Sequence, residues 1–297
     1  MQQTSKVGFL YLLLAPALIL TLIFKYGPMY GAVIAFKDFN PIKGIWGSDW
    51  VGLKHFDKLF SSPNFDVIFM NTLKLSLYGL VLGFPVPILL ALMLNQIRKA
   101  RVKKNIQLFL YAPNFISVVV IVGMLFIFLS PTGPVNQLLA WFADKPIMFM
   151  SNPEYFRWLY ILSDIWTTAG WSSIIYVAAL ANVDPELHHA ANLDGASLLQ
   201  RIRHIDLPTI RPIMAIVFIL AAGGIMSIGF EKAYLMQTAA NLPASEIIPT
   251  YVYKLGLQSG DYAYSSAVGL FNSVINVILL AAVNFIVKRL NEGEGLY

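Results

Sequence analysis

The chain contains no cysteine in 297 residues. This absence excludes disulfides, thiolate zinc sites, thiolate-ligated iron–sulfur clusters and cysteine nucleophiles. There are four histidines and no H-E-x-x-H motif, so no metal site is predicted. The nucleotide-binding pattern G-x-x-x-x-G-K-[ST] is also missing, which excludes a P-loop ATPase. We therefore predict no catalytic residue, no metal and no cofactor bound by this chain.

Charged residues are scarce as well. They make up 12% of the chain, against about 25% in soluble domains, while hydrophobic residues make up 57%. Too little polar surface is available to cover a soluble globule. Glycine (20) and proline (16) are near average usage, which excludes collagen-like and low-complexity chains. The predicted fold class is an all-α integral membrane protein.

Apolar runs long enough to cross a bilayer, which takes about 20 residues of helix, recur along the chain. Their apolar residues are not confined to one stripe, and the alternation of transmembrane strands is absent from the sequence. In a single domain, 1–297, we predict about six transmembrane helices, at 7–30, 67–95, 105–129, 157–182, 212–231 and 262–288. The first run could also be a signal peptide cleaved near Ala17, but it continues to Phe24, beyond a usual signal core.

The charges between the runs predict the orientation. Residues 95–105 hold five cations and no acid, and short loops this basic stay in the cytoplasm. This choice also puts residues 183–208 and both termini, including 291–297, in the cytoplasm. Loops 37–66, 130–156 and 231–261 then face outward. The net charge of +5 is thus a topology signature, and no nucleic-acid partner is expected.

Isolated residues inside the runs predict local features. The prolines that should kink helices are Pro16, Pro85, Pro87 and Pro113. Lys74 and Asp164 lie at similar depth, roughly 10 Å from the outer ends of their helices at 1.5 Å per residue. An unpaired charge there is costly, so we predict that these two residues form an ion pair or share a polar cavity.

Residues 183–208 predict a helix–turn–helix outcrop. Asp184 can cap a helix whose first residue is Pro185, and Gly195 can end it in a left-handed conformation. A second helix, Ala196–Ile205, should then stop before Pro208. Its shared apolar face would consist of Leu198, Leu199, Ile202 and Ile205. An apolar stripe beneath the membrane needs a partner, either the rest of this chain or another protein.

The same segment contains a recognisable pattern. It reads His189-Ala190-Ala191-x-x-Asp194-Gly195-Ala196, followed by Ile205-x-Leu207-Pro208. This resembles the EAA loop of binding-protein-dependent ABC importers, E-A-A-x-x-D-G-A followed by I-x-L-P. The residues Ile165-Trp166 and Pro212 look like the carbohydrate branch, which includes maltose, glycerol-phosphate and alginate permeases. Similarity to polysaccharide (LplB-like) permeases comes from Tyr26-Gly27-Pro28-Met29-Tyr30-Gly31, Ala35-Phe36-Lys37-Asp38-Phe39 and Gly44-Ile45-Trp46-Gly47.

The resemblance implies a type I ABC importer permease, a transporter subunit rather than an enzyme, whose cytoplasmic loop 183–208 couples to an ATPase. The residues it assigns to coupling are Glu186, His189, Ala190, Ala191, Asp194, Gly195, Ala196, Leu198, Ile202, Leu207 and Pro208. His189 stands where the family has glutamate. His189 could form a hydrogen bond at the docking contact, Glu186 could supply the charge from one turn away, or the position could tolerate variation.

The resemblance also implies partners and a substrate class. The partners are a second homologous permease chain in a heterodimer, two subunits that bind ATP and Mg, an extracytoplasmic solute-binding protein and membrane lipid. The system would import oligosaccharides or polysaccharide fragments across a bacterial-type inner membrane by alternating access. A non-sugar solute is the alternative. An ion-coupled carrier or an enzyme on lipid-linked sugars would need more ionisable groups inside the helices than Asp164.

Candidate solute-path residues come from three places. Indole faces and hydroxyls suit sugars in helix 4, at Trp166, Thr167, Thr168 and Trp171, although tryptophans also form interfacial belts. By resemblance, a second cavity-lining segment at the end of helix 5 is Gly229, Phe230, Glu231 and Lys232, with charges where the family often has amides. In helix 6, Asn272 and Asn276 should face protein or water, for solute contact or for helix–helix hydrogen bonding.

Overall fold

The chain is almost entirely helical in the computed structural model, which describes residues 2–142 and 145–290. Helix α1, Gln2–Thr21, continues through a π-helical turn, Leu22–Tyr26, into the 3-10 helix Gly27–Phe36. Short elements follow: β1 (Lys37–Asp38), α2 (Gly44–Gly47), β2 (Asp49–Trp50) and α3 (Lys54–Phe60). Strands β1 and β2 pair antiparallel, with Lys37 opposite Trp50.

The middle of the chain is a series of helices with one sharp bend. Its helices are α4 (Phe65–Gly83), α5 (Pro85–Asn95), α6 (Ala100–Tyr111), α7 (Val118–Phe128), α8 (Pro134–Leu139) and α9 (Pro153–Leu180). The chain bends by 95° between Ala100–Phe115 and α7. Pro113 lies in this bend, and the Ser117 hydroxyl caps α7 by accepting from the Val120 N–H. The prediction of one helix over 105–129 is therefore wrong, because proline and a new cap interrupt it.

The carboxyl-terminal part departs from the predicted boundaries at two points. Its helices are α10 (Pro185–Leu193), α11 (Leu198–Arg201), α12 (Leu207–Gly223), α13 (Phe230–Met236), α14 (Leu242–Ser245), α15 (Ile248–Tyr253) and α16 (Tyr262–Leu290). The expected stop before Pro208 is wrong. A π-helical turn, Ile202–Asp206, leads directly into α12, where a proline in the first turn loses no hydrogen bond. The predicted helix 212–231 instead ends at Gly223, because residues 224–229 form turns.

Fewer helices than predicted are long and apolar enough to span a membrane. Among the described residues there are four: Tyr11–Phe36, Phe65–Asn95, Leu198–Gly223 and Tyr262–Arg289, or five if the bent pair around Pro113 is one span. Helix α9 covers the predicted fourth span and is 28 residues long, but it is not in this set. Its charged and hydroxyl residues lower its hydropathy. The all-α membrane fold is supported, and the count of six stays a prediction.

Two compact units are formed by the described residues. One contains residues up to Phe65 and Tyr251–Phe271, and the other contains Asp66–Thr250 and the residues from Asn272. In the first unit, Phe36 stacks on Trp50 with ring centroids 5.6 Å apart. The single domain over 1–297 stays a prediction.

Helix α9 is the centre of the second unit. One apolar cluster joins it to α4, α7 and α13 around Phe156 and Ile161. A second cluster joins it to α5 and α12 around Tyr176 and Leu180. At Gly170 the helix passes so close to α6 that a Cβ would lie 2.0 Å from the Leu110 carbonyl oxygen. This crossing therefore requires glycine.

We expect Gly170→Ala to lower the free energy of unfolding by about 1–3 kcal/mol, because the new methyl group overlaps the backbone of α6. Gly123→Ala in α7 is the matched control, since its Cβ meets nothing within 4 Å. Thermal unfolding of the detergent-purified protein should show a lower midpoint for Gly170→Ala alone. Equal midpoints for the two variants would contradict the close crossing.

Candidate functional site

A cavity of about 740 Å³ lies in the second unit. Its walls come from α4, α5, α9, α12, α13 and the turns at 224–229. The polar and charged groups that line it are Ser76, Tyr160, Asp164, Thr168, Ser172, Tyr176, Ser227, Glu231 and Lys232. A concave site of this size with a few polar groups on an apolar wall is typical of ligand pockets.

The turns at 224–229 are held by two amides of α16. The Asn276 side-chain oxygen accepts a hydrogen bond from the Met226 N–H at 2.9 Å, and its Nδ2 donates to Ser227 Oγ at 3.1 Å. The Asn272 Nδ2 donates to the Met226 carbonyl oxygen at 3.3 Å. Because Met226 is fully buried, these bonds replace the helical partners that its backbone lost. They allow α12 to end at Gly223 and α13 to begin at the cavity.

A buried lysine anchors the cavity wall. Lys232 is 7% exposed, and its Nζ donates to Asp164 Oδ1 at 3.2 Å and to the Tyr160 carbonyl oxygen at 2.9 Å. Its ammonium also lies 4.7 Å from the centroid of the Tyr160 ring. The Asp164 side chain remains 52% exposed. The cation is thus fixed inside the wall while its carboxylate partner faces the cavity.

The same ion pair borders a second, smaller cavity of about 170 Å³. Asp164, Thr168, Lys232 and Val118 line both cavities. The smaller cavity reaches the bend at Pro113 and is also lined by Thr167. The Asp164–Lys232 pair is therefore part of the partition between the two spaces.

The predicted solute-path residues divide into three groups. Thr168, Gly229, Phe230, Glu231 and Lys232 line the larger cavity, and Thr167 lines the smaller one. Trp166 and Trp171 are about half exposed and line neither of them, and Trp171 packs edge-on against Phe115 at 5.4 Å. Asn272 and Asn276 bind the backbone of the turns instead.

The prediction for Lys74 is wrong. Lys74 is exposed and lines neither cavity, and Asp164 pairs with Lys232, which lies 68 residues further along the chain. Similar depth did not make Lys74 the partner, because the break before α13 brings Lys232 to the same level of α9. Sequence reasoning also missed Tyr160, Ser76, Ser172 and Ser227, which have no motif that separates them from ordinary helix residues.

The 183–208 segment has the expected local geometry at its turns. The Asp184 side chain accepts from the Glu186 N–H at 2.9 Å and caps α10, with Pro185 as the first helical residue. Gly195 has φ +75°, the left-handed conformation expected of it. The next helix begins two residues later than predicted, at Leu198. Ser197 and Gln200 form a reciprocal capping box there.

The apolar residues of this segment face two ways. Ile202, Ile205 and Leu207 pack against the apolar cluster around Tyr176. The predicted common stripe is therefore divided, because other leucines of the segment remain exposed: Leu187, Leu193, Leu198 and Leu199. The predicted coupling residues that are exposed are Glu186, His189, Ala190, Asp194, Gly195, Leu198 and Pro208. Those that are partly buried are Ala191, Ala196, Ile202 and Leu207.

Comparison with known families decides the identity of this helical membrane chain. The family described as "Binding-protein-dependent transport system inner membrane component" matches residues 83–292. The chain belongs to this family. The resemblance predicted from the sequence is thereby confirmed, together with the role of a transport subunit rather than an enzyme. The permease is an inner membrane component, which agrees with its several apolar helices.

Two curated relatives cover nearly the whole permease. It is 47% identical over 290 residues to the polygalacturonan/rhamnogalacturonan transport system permease protein YteP of Bacillus subtilis (strain 168), covering 97% of this chain and 90% of that one. It is 43% identical over 298 residues to Protein LplB of the same organism, covering 100% and 93%. The predicted similarity to LplB-like permeases is therefore confirmed.

A solved structure supports the fold. One chain of a bacterial alginate ABC transporter, crystallised in complex with an alginate pentasaccharide-bound periplasmic protein, matches with a TM-score of 0.89 and 37% identity. The match covers 99% of the permease and 98% of that chain. The fold class predicted from the sequence, an ABC importer permease, is confirmed.

We expect the Asp164–Lys232 pair to be asymmetric. Asp164→Ala leaves a buried ammonium without its carboxylate, which should cost about 3 kcal/mol of stability. Lys232→Met should cost less, because the half-exposed carboxylate can be hydrated and methionine fills the buried space. The double variant should be more stable than Asp164→Ala alone. Thermal unfolding of the purified variants measures this order, and a larger loss for Lys232→Met would show that the lysine is not the costly partner.

Proposed function

We propose that this permease forms half of the translocation path of an ATP-driven importer for oligosaccharides or polysaccharide fragments. The cavity of about 740 Å³ carries this proposal. It is bounded by α12 and α13, whose separation at 224–229 gives the wall a backbone with two discrete parts. Such a wall suits alternating access, in which the cavity opens to one side of the membrane at a time.

Saccharide is the substrate class that the lining and the relatives favour. Carboxylates and hydroxyls at Asp164, Glu231 and Thr168 can accept hydrogen bonds from sugar hydroxyls. The rings of Tyr160 and Phe230 offer apolar faces beside them. The relatives described above are named for polygalacturonan and rhamnogalacturonan, and the solved neighbour for alginate. We infer that fragments of an acidic plant or algal polysaccharide are the first candidates.

The proposed partners follow from what one permease lacks. The sequence has no P-loop, so ATP and Mg belong to two separate ATPase subunits. A second, homologous permease would complete the path as a heterodimer. A solute-binding protein would deliver the saccharide to the outer side, in keeping with the family description and with the complex of the alginate transporter. The termini would lie in the cytoplasm; residues 291–297 are outside the described residues.

The 183–208 segment is the proposed contact with the ATPase. Its exposed leucines, Leu187, Leu193, Leu198 and Leu199, surround the turn at Gly195. Exposed apolar groups at a polar turn favour a protein partner. His189 and Asp194 are exposed beside them and can add polar contacts.

Reconstitution tests the whole proposal. The permease, its homologue, the two ATPase subunits and the binding protein would be placed in liposomes and given oligogalacturonate, alginate pentasaccharide or a peptide of similar size. We expect ATP hydrolysis and uptake to rise only with a saccharide-loaded binding protein. Stimulation by the peptide and by neither saccharide would overturn the substrate class, and uptake without ATPase subunits would overturn the importer.

We expect Gly195→Val to abolish binding-protein-stimulated ATP hydrolysis while the permease still inserts and folds. A β-branched residue at φ +75° strains the turn and adds bulk to the proposed docking surface. Gly260→Val is the matched control, because Gly260 has φ +73° and lies outside this segment. It should lose similar stability and keep stimulation. Full stimulation in Gly195→Val would remove this segment from the coupling role.

A further inference from the structure

A buried carboxylate joins the 183–208 segment to two helices of the cavity. Asp206 is 0% exposed and ends the π-helical turn that precedes α12. Its Oδ1 lies 3.2 Å from Nε2 of His188 on α10. Its Oδ2 accepts a hydrogen bond from Nε2 of Gln96, the residue after α5, at 3.4 Å. One side chain thus contacts α10, the end of α5 and the start of α12.

Helix α10 has little else to hold it. None of its nine residues is buried, and His188 and Ala191 are the two that are partly buried. The chain before and after it is fixed by apolar packing, since Val183 and Ile202 belong to the cluster around Tyr176. The His188 side chain is therefore the polar tether of α10 itself.

The tether is stiff because it ends on a buried charge. A carboxylate among apolar side chains is stable only while its partners remain in contact. Besides His188 and Gln96, the Arg201 guanidinium lies close enough to attract it. A displacement of α10 must either carry Asp206 with it or leave that charge poorly paired. Carrying it moves the start of α12 and pulls on the end of α5.

Both of those helices form the wall of the cavity. Pro87 of α5 and Val217 and Ala221 of α12 line it. We propose that Asp206 is a positioning residue that passes the displacement of α10 to α5 and α12 through His188 and Gln96. This inference rests on the proposed function, in which α10 is moved by an ATPase subunit.

The test uses the complete transporter in liposomes, with the binding protein loaded by the saccharide that stimulates the unmodified complex. His188→Leu and Asp206→Asn would be compared for recovery of the ATPase subunits, for hydrolysis without binding protein and for stimulation by loaded binding protein. We expect the first two to stay near the unmodified values and stimulation to fall at least about fivefold. The exchanged pair, His188→Asp with Asp206→His, should recover part of the stimulation.

His204→Leu is the matched control, because His204 Nδ1 contacts the Gln200 carbonyl oxygen at 2.9 Å within its own turn. It should keep full stimulation. Full stimulation in His188→Leu would overturn the inference. So would a parallel loss of all three readouts in both His188→Leu and Asp206→Asn, since that is the result of a purely structural contact. If the unmodified complex shows no stimulation, the proposed function itself is contradicted, and the inference falls with it.

Discussion

The hydrogen bond from the Met226 N–H to the Asn276 side chain is the interaction on which the cavity depends. In an apolar environment every backbone amide needs a partner, and a helix normally supplies it from within. Helix α12 gives up that solution at Gly223, and the amides of Asn272 and Asn276 replace the lost partners. The chain can therefore turn and begin α13, which brings Phe230, Glu231 and Lys232 to the wall.

The cavity and the 183–208 segment share one structural support. The apolar cluster around Tyr176 packs α5, α9 and α12 together, and it also holds Ile202 and Ile205 of the segment. Tyr176 itself lines the cavity. Close-packed interiors transmit displacement because they cannot compress. Binding at one end and docking at the other therefore act on the same group of side chains, without a long chain of intermediates.

Local features could be predicted from the sequence, and contacts between distant helices could not. The cap at Asp184 and the left-handed Gly195 depend on a few neighbouring residues, so their patterns were sufficient. The pairing of Asp164 was assigned to Lys74 because depth was the only guide, whereas Lys232 reaches it through a break that a hydropathy pattern does not contain. Pro208 was taken as a stop, although a π-helical turn before it lets the helix continue. Asn272 and Asn276 were rightly expected to face protein or water, but their backbone partners depend on that same break.

The arrangement of charge around the cavity has a consequence for how two permeases would share their work. Among the lining residues of the described chain, Lys232 is the one cation, and its charge is spent on Asp164, while Glu231 adds a second carboxylate. This wall is therefore net negative and repels uronate groups. If an acidic polysaccharide passes through, electroneutrality along the path has to come from the opposite wall or from accompanying cations. The two halves of the path would then be complementary in sign, and the permeases would not be interchangeable.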